Sequence, residues 1–107
     1  MRILLTHTPS FRANYYGDAA LARLRGAGDV VLHDSETPLD PAALIVAAKG
    51  IDVIVSDRQT AAPGEVFAGL PDLAAYVRCA MDIRNIDVDA ASKAGVLVTR
   101  ATAGFID

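Results

Sequence analysis

Short apolar runs alternate along the whole chain with stretches whose apolar positions recur at helical spacing. The apolar runs predict five strands, at residues 3–5, 29–33, 51–55, 73–77 and 96–98. The stretches between them predict four helices, and glycines punctuate most of the junctions. The β-branched run at 51–55 indicates a strand that is buried on both faces, as in a parallel sheet.

Helix boundaries are marked most clearly in the second half of the chain. Asp40 and Pro41 predict a sharp helix start, since the carboxylate accepts free N–H groups and proline fits the first helical position. That helix is expected to run to about residue 49 and to end at Gly50. Asp87 predicts the cap of the last helix, and Asn14 is the predicted cap of the first.

Strands that are joined by crossover helices must run parallel, and such crossovers are right-handed by default. The pattern therefore predicts an α/β fold: a flavodoxin-like, doubly wound parallel sheet of five strands in the order 2-1-3-4-5, with helices on both faces. With 107 residues, the chain is expected to form a single domain over 1–107.

Composition excludes several classes of protein. A net charge of -3 argues against binding along a nucleic-acid backbone. The single cysteine rules out an intrachain disulfide and favours a cytoplasmic location. His7 and His33 have no partner at metal-ligand spacing, so no metal site is expected. No apolar run approaches the roughly 20 residues that span a bilayer, so no membrane partner is expected.

Candidate chemistry follows from the fold, because ligands of open α/β sheets bind beyond the carboxyl ends of the strands. Arg58 and Arg78 follow adjacent strands, and together they could hold a carboxylate or a phosphate. The alternative is that Arg58 pairs with Asp57 or another neighbour on the surface. Backbone N–H groups of the same loops are a second anion-binding candidate.

His7 and Cys79 are weaker candidates for a chemical role. His7 has no carboxylate placed by the sequence to orient it, so a plain loop histidine is the alternative to an acid or base. Cys79 is expected to be a buried, structural thiol. The chain contains neither the Gly-x-Gly-x-x-Gly fingerprint nor the Gly-Lys-Ser/Thr loop.

Two other families that share the topology fit the residues poorly. The segment Thr-His-Thr-Pro-Ser at 6–10 lacks the glycine of a flavin phosphate loop. Asp57 lies where a phosphate-receiver domain keeps its acceptor carboxylate, but residues 6–8 replace the acidic pair that would bind magnesium. Thr99 and Arg100 also replace the expected lysine.

Residues 84–98 are the most specific part of the sequence. They run Arg-Asn-Ile-Asp at 84–87, Val-Asp-Ala-Ala at 88–91 and Ala-Gly-Val-Leu-Val at 94–98. This stretch resembles the N-terminal part of the D-isomer-specific 2-hydroxyacid dehydrogenases, and residues 56–60 are similar to that family's Arg-Ser-x-Thr region. The family's loop glycines fall here at Ala80 and Asp82.

The resemblance implies a substrate-binding domain that faces a separate NAD-binding Rossmann domain; NADP is the alternative cofactor. Hydride would pass between the nicotinamide and C2 of a small 2-hydroxy or 2-oxo acid. The substrate carboxylate would be held partly by backbone amides of the loop after the fourth strand. The family's catalytic and cofactor-binding residues come later than this chain reaches. The substrate-binding residues implied here are Ser56, Arg58, Arg78, Cys79, Ala80 and Met81.

Residues 101–107, at the end of the sequence, lead to further expectations. Residues 101–107 supply no helix after the fifth strand, so we expect a missing C-terminal continuation and an N-terminal fragment that is inactive alone. The uncovered sheet surface favours a homo-oligomer. The alternative is a stand-alone flavodoxin-like binding or interaction module without catalytic activity. The mass of the natural gene product distinguishes the two.

Overall fold

The computed structural model describes residues 1–80 and 83–100. Five strands form one sheet in the order β2-β1-β3-β4-β5, and every neighbouring pair is parallel. The predicted α/β class and strand order are confirmed. The strands are β1 (Arg2–Leu5), β2 (Asp29–Leu32), β3 (Val53–Ser56), β4 (Ala75–Arg78) and β5 (Leu97–Arg100).

The helices are shorter and more irregular than predicted at the N-terminal end. The predicted cap at Asn14 is wrong, because this residue lies inside a π-helix, and the following helix begins after Gly17, which has a φ of 87°. The helices are α1 (Pro9–Phe11), the π-helix (Arg12–Tyr16), α2 (Asp18–Ala27), α3 (Pro41–Ala47), α4 (Gly64–Ala68) and α5 (Val88–Lys93).

The two predicted aspartate caps are present. Asp40 Oδ1 accepts the backbone N–H of Ala43 at 2.8 Å, and Asp87 Oδ1 accepts that of Ala90 at 2.9 Å. Each satisfies a donor that the first turn of a helix would otherwise leave unpaired. Helix α3 ends at Ala47, slightly before the predicted end, because the chain turns there towards Gly50 with its φ of 76°.

The sheet is covered on both faces, so it has two apolar layers. One layer packs the inward residues of the central strands against α3, α4 and α5; among its fully buried members are Leu4, Leu44, Ile54, Phe67, Tyr76 and Ala91. The other layer is smaller and packs strand residues against the π-helix and α2; its members include Ile3, Leu5, Val55, Tyr16, Leu21 and Leu24.

The smaller layer does not extend to β5. Leu97 pairs with Ala75 in register and is 64% exposed. Thr99, on the same face of the strand, is also exposed. The described chain therefore presents apolar sheet surface at this edge. Within residues 1–80 and 83–100, no helix is long and apolar enough to cross a membrane.

Gly28, which joins α2 to β2, provides a sharp test of the packing at the start of the sheet. A Cβ there would overlap the carbonyl oxygen of Met1, which accepts the Asp29 N–H at 2.9 Å. We expect Gly28→Ala to lower the free energy of unfolding by about 1–3 kcal/mol, since the clash is with backbone. Urea denaturation measures this loss.

Gly26 provides the matched control, because it lies in α2 and a Cβ there meets nothing within 4 Å. Gly26→Ala should raise the free energy of unfolding by about 0.5–1 kcal/mol, as expected for a helical glycine. Equal midpoints for the two variants would contradict the close approach at Gly28.

Candidate functional site

The carboxyl ends of the parallel strands bring the predicted polar segments together at one edge of the sheet. Thr6 directly follows β1, Ser56 is the last residue of β3 and Arg78 is the last residue of β4. Ser56 and Arg78 are register partners. All three side chains are buried, with at most 1% of their surface exposed. Buried polar groups need partners, so their hydrogen bonds determine the shape of this edge.

Asp57 joins the loops that follow β1 and β3. Its Oδ1 accepts the hydroxyl of Thr6 at 3.0 Å and that of Thr60 at 2.6 Å, and its N–H donates to Thr6 Oγ1 at 3.3 Å. The residue is 3% exposed. The alternative in which Asp57 pairs with Arg58 on the surface is therefore wrong, because the carboxylate is turned inward to two hydroxyls.

Arg78 joins the loops that follow β3 and β4. Its Nε donates to Ser56 Oγ at 2.9 Å, its Nη2 to the Thr60 carbonyl at 2.7 Å and its Nη1 to Asn85 Oδ1 at 2.8 Å. Asn85 Nδ2 in turn donates to the Arg58 carbonyl at 3.0 Å. One buried guanidinium thus fixes two loops, as only the planar five-donor fork of arginine can.

A pocket of about 180 Å³ opens between these loops and the start of the first helical segment. One wall is aromatic, where the rings of Phe11 and Tyr15 lie 4.3 Å apart between centroids. Tyr15 belongs to the π-helix, a rare element that is often found at functional sites. The pocket is lined by His7, Phe11, Tyr15, Asp57, Arg58, Cys79 and Ala80.

His7 lies in the wall of this pocket as a neutral ring. It is 2% exposed and packs against Tyr16, with 5.2 Å between the ring centroids. Burial lowers the pKa of His7; the negative charge of Asp57 opposes this shift, and the positive charge of Arg12 adds to it. The imidazole is therefore uncharged at neutral pH.

Cys79 is exposed and lines the pocket, so the prediction of a buried thiol is wrong. Desolvation, with a smaller contribution from the charge of Asp57, raises the pKa of this thiol to about 11, and Arg78 opposes the shift. A thiol with this pKa is protonated at neutral pH and is not an activated nucleophile. Cys79 thus contributes a weakly polar surface to the pocket.

The six predicted substrate-binding residues fall into three groups. Arg58, Cys79 and Ala80 line the pocket. Ser56 lies behind it, where its hydroxyl accepts from Arg78. Arg78 borders a separate, open depression that also includes Arg58, Arg84 and Asn85. Met81 lies outside the described residues.

The backbone donors of the loop after β4 differ in their availability. The N–H of Cys79 donates to the Ser56 carbonyl at 2.8 Å, so it extends the sheet and is not available to a ligand. The N–H of Ala80 makes no hydrogen bond within residues 1–80 and 83–100. Ala80 also lines the pocket, so its amide can bind an anion there.

Sequence reasoning did not identify the aromatic wall or the role of Asn85. Phe11 and Tyr15 have the i, i+4 spacing that places side chains on one face of a helix, which is a usable signal. Asn85 gives no such signal, because its partners, Arg78 and the Arg58 carbonyl, are close only in the folded chain. In the described part of the chain, no three His, Cys, Asp or Glu residues are grouped as metal ligands would be.

The contrast between the two arginines is testable. Arg78→Met should lower the free energy of unfolding by about 3 kcal/mol or more, because Ser56, Thr60 and Asn85 lose a buried charged donor. Arg58→Met is the control, since this side chain is exposed; its effect should stay within about 0.5 kcal/mol. Urea denaturation measures both, and equal losses would contradict a structural role that is specific to Arg78.

Comparison with known proteins extends over nearly the whole chain. A family model described as D-isomer specific 2-hydroxyacid dehydrogenase, catalytic domain, matches residues 3–106. A curated relative, (S)-sulfolactate dehydrogenase from Chromohalobacter salexigens, is 30% identical over 92 residues, which are 86% of this chain and 29% of that protein. The chain thus spans less than a third of this relative.

Solved structures give the same result. A protein described as a D-isomer specific 2-hydroxyacid dehydrogenase, NAD-binding, from Polaromonas sp. JS6 66 matches with a TM-score of 0.77 and 26% identity, over 91% of this chain and 28% of that one. D-lactate dehydrogenase from Escherichia coli matches with a TM-score of 0.77 and 16% identity, over 96% of this chain and 31% of that one. The second similarity is one of fold alone.

Proposed function

Because this chain belongs to the D-isomer specific 2-hydroxyacid dehydrogenase family, we propose that it is the substrate-binding part of an NAD-dependent oxidoreductase. The whole protein would act on the CH–OH group of small D-2-hydroxy acids and reduce the matching 2-oxo acids. NADP is the alternative cofactor. The chain would work in the cytoplasm, in keeping with its single, unpaired cysteine.

The observation that best supports this proposal is the pocket, in which a cation and a backbone donor are both available. Within residues 1–80 and 83–100, the Arg58 guanidinium has no hydrogen-bond or ion-pair partner. The same pocket includes Ala80, whose N–H is also unused. Two residues that line one small cleft and offer a guanidinium and an amide N–H suit a carboxylate, because charge-assisted hydrogen bonds are the strong ones.

The six predicted substrate-binding residues have different roles in the proposed function. Arg58 and the Ala80 amide bind the carboxylate, and Cys79 forms the wall beside them. Ser56 and Arg78 do not touch the substrate; they hold the two loops in place through their mutual hydrogen bond of 2.9 Å. Met81, which follows Ala80 in the chain, is proposed as a further backbone donor.

The residues of this chain do not fit NAD. A pocket of about 180 Å³ accommodates a small acid but is far too small for a dinucleotide. The sequence also lacks the glycine fingerprint that lets a backbone approach a pyrophosphate. We therefore assign the cofactor to a separate domain. In support, the matched region is only 28% of the Polaromonas protein, which is described as NAD-binding.

Direct binding tests the proposed site. Titration of the chain with pyruvate, followed by NMR, should shift the backbone amide of Ala80. Arg58→Met should weaken this binding by about 10-fold or more, since a hydrogen bond to a charged group contributes about 1.5–3 kcal/mol. Arg23→Met, on the exposed side of α2, is the control and should bind as the unchanged chain does.

Two results would count against the proposal. The first is the absence of any Ala80 shift with pyruvate, glyoxylate or sulfopyruvate, the last chosen because the Chromohalobacter relative is a sulfolactate dehydrogenase. The second is oxidation of NADH by these 107 residues alone with any of these acids, because the chain is expected to lack the cofactor site.

We also propose that the chain self-associates through the exposed face at β5. Leu97 is 64% exposed there, and apolar sheet surface favours association. Leu97→Lys should shift the chain from dimer to monomer in sedimentation velocity. Val46→Lys is the control, because Val46 is 73% exposed on α3, away from the β5 edge. An unchanged chain that sediments as a monomer at high concentration would refute this interface.

A further inference from the structure

We propose that His7 is a specificity-determining residue, which donates a hydrogen bond to an oxygen of the substituent on C3 of the substrate. The pocket would thereby prefer 2-oxo acids with a hydroxyl or acidic group at C3 over those with a plain alkyl group. This inference rests on the proposed function, since it concerns the same pocket, but it assigns a residue and a part of the substrate that the carboxylate site does not include.

The position of His7 supports this role. The residue directly follows Thr6 at the carboxyl end of β1 and lines the pocket together with Arg58 and Ala80. Its ring packs between Tyr16 and Phe11, at centroid distances of 5.2 Å and 6.0 Å. These contacts fix the orientation of the ring without forming a hydrogen bond to it.

His7 differs from the other buried polar residues at this edge, because its ring nitrogens have no described hydrogen-bond partner. Thr6, Asp57, Thr60 and Arg78 are all buried, and all are bonded to one another or to the backbone. His7 Nδ1 is the one buried side-chain nitrogen or oxygen in the described residues that has no partner. Nε2 has no described partner either, and of the two ring nitrogens it is the less enclosed, in a side chain that is 2% exposed and lines the pocket.

The chemistry of a neutral imidazole then indicates what binds there. The ring has one N–H donor and one acceptor nitrogen. A buried N–H without a partner is rarer in proteins than a buried acceptor without one. The proton is therefore assigned to Nε2, the less enclosed nitrogen, and Nδ1 is left as the unpaired acceptor. A methyl group cannot accept this hydrogen bond, whereas a hydroxyl, carboxylate or sulfonate oxygen can.

The test compares two acids that differ by a single hydroxyl group. Hydroxypyruvate should bind the chain about threefold to tenfold more tightly than pyruvate, which is the range expected for one added hydrogen bond. The ring ¹⁵N resonance of His7 Nε2 should shift with hydroxypyruvate but not with pyruvate. This readout needs no variant, so it holds even where a substitution disturbs folding.

Two substitutions at His7 test the contribution of its ring to this preference. His7→Phe keeps an aromatic side chain between Tyr16 and Phe11, and it should bring the ratio of the dissociation constants for pyruvate and hydroxypyruvate to about one. His7→Gln keeps a donor and should restore part of the preference. Amide spectra confirm that each variant is folded.

The outcomes separate this inference from the proposed function. If both acids shift the Ala80 amide with equal affinity, or if His7→Phe keeps the wild-type ratio, the role of His7 is refuted and the carboxylate site stands. If neither acid shifts Ala80, both fail. A preference for hydroxypyruvate that His7→Phe abolishes, together with the Nε2 shift, supports the assignment.

Discussion

The buried guanidinium of Arg78 is the interaction on which this edge of the structure depends. It lies at the end of the interior strand β4, is 1% exposed and binds Ser56, the Thr60 carbonyl and Asn85. Removing an arginine from water has a large desolvation cost, which is offset only when its donors are matched by acceptors. Here the acceptors come from two separate loops, so the cost is met only if both loops adopt this conformation.

The network around Asp57 extends the same constraint to β1. Its carboxylate binds the hydroxyls of Thr6 and Thr60, and the Thr60 carbonyl accepts from Arg78. Thr60 therefore links the two networks, one through its side chain and one through its backbone. A rigid edge of this kind can hold the groups at its surface in fixed positions, as the proposed acid-binding site requires.

Much of the fold could be predicted because its signals are local. Apolar runs mark the strands, and Asp40 and Asp87 cap helices through bonds to residues three positions ahead. The π-helix could not be predicted in this way. Asn14 has the chemistry of a helix cap, but the chain continues through it in helical conformation and reaches its next start only at Gly17.

The site was only partly predictable, as its two arginines illustrate. Arg58 and Arg78 follow adjacent strands and look equivalent in sequence, yet one guanidinium is exposed at a pocket and the other is enclosed. The difference comes from Ser56, the register partner of Arg78, and from Asn85, seven residues further along the chain. Register and loop return are tertiary properties, so neither residue type nor spacing reveals them.

This division between the arginines also bears on the proposed binding site. A single buried cation that is fully hydrogen-bonded adds order without attracting a ligand, because its donors are already used. Arg58 is exposed, and the Asn85 bond to its carbonyl fixes its backbone, while the donors of its guanidinium have no described partner. Exchanging the two environments would destabilise the fold, since a buried arginine without acceptors keeps its desolvation cost, and it would also remove the exposed cation on which the proposed carboxylate site depends.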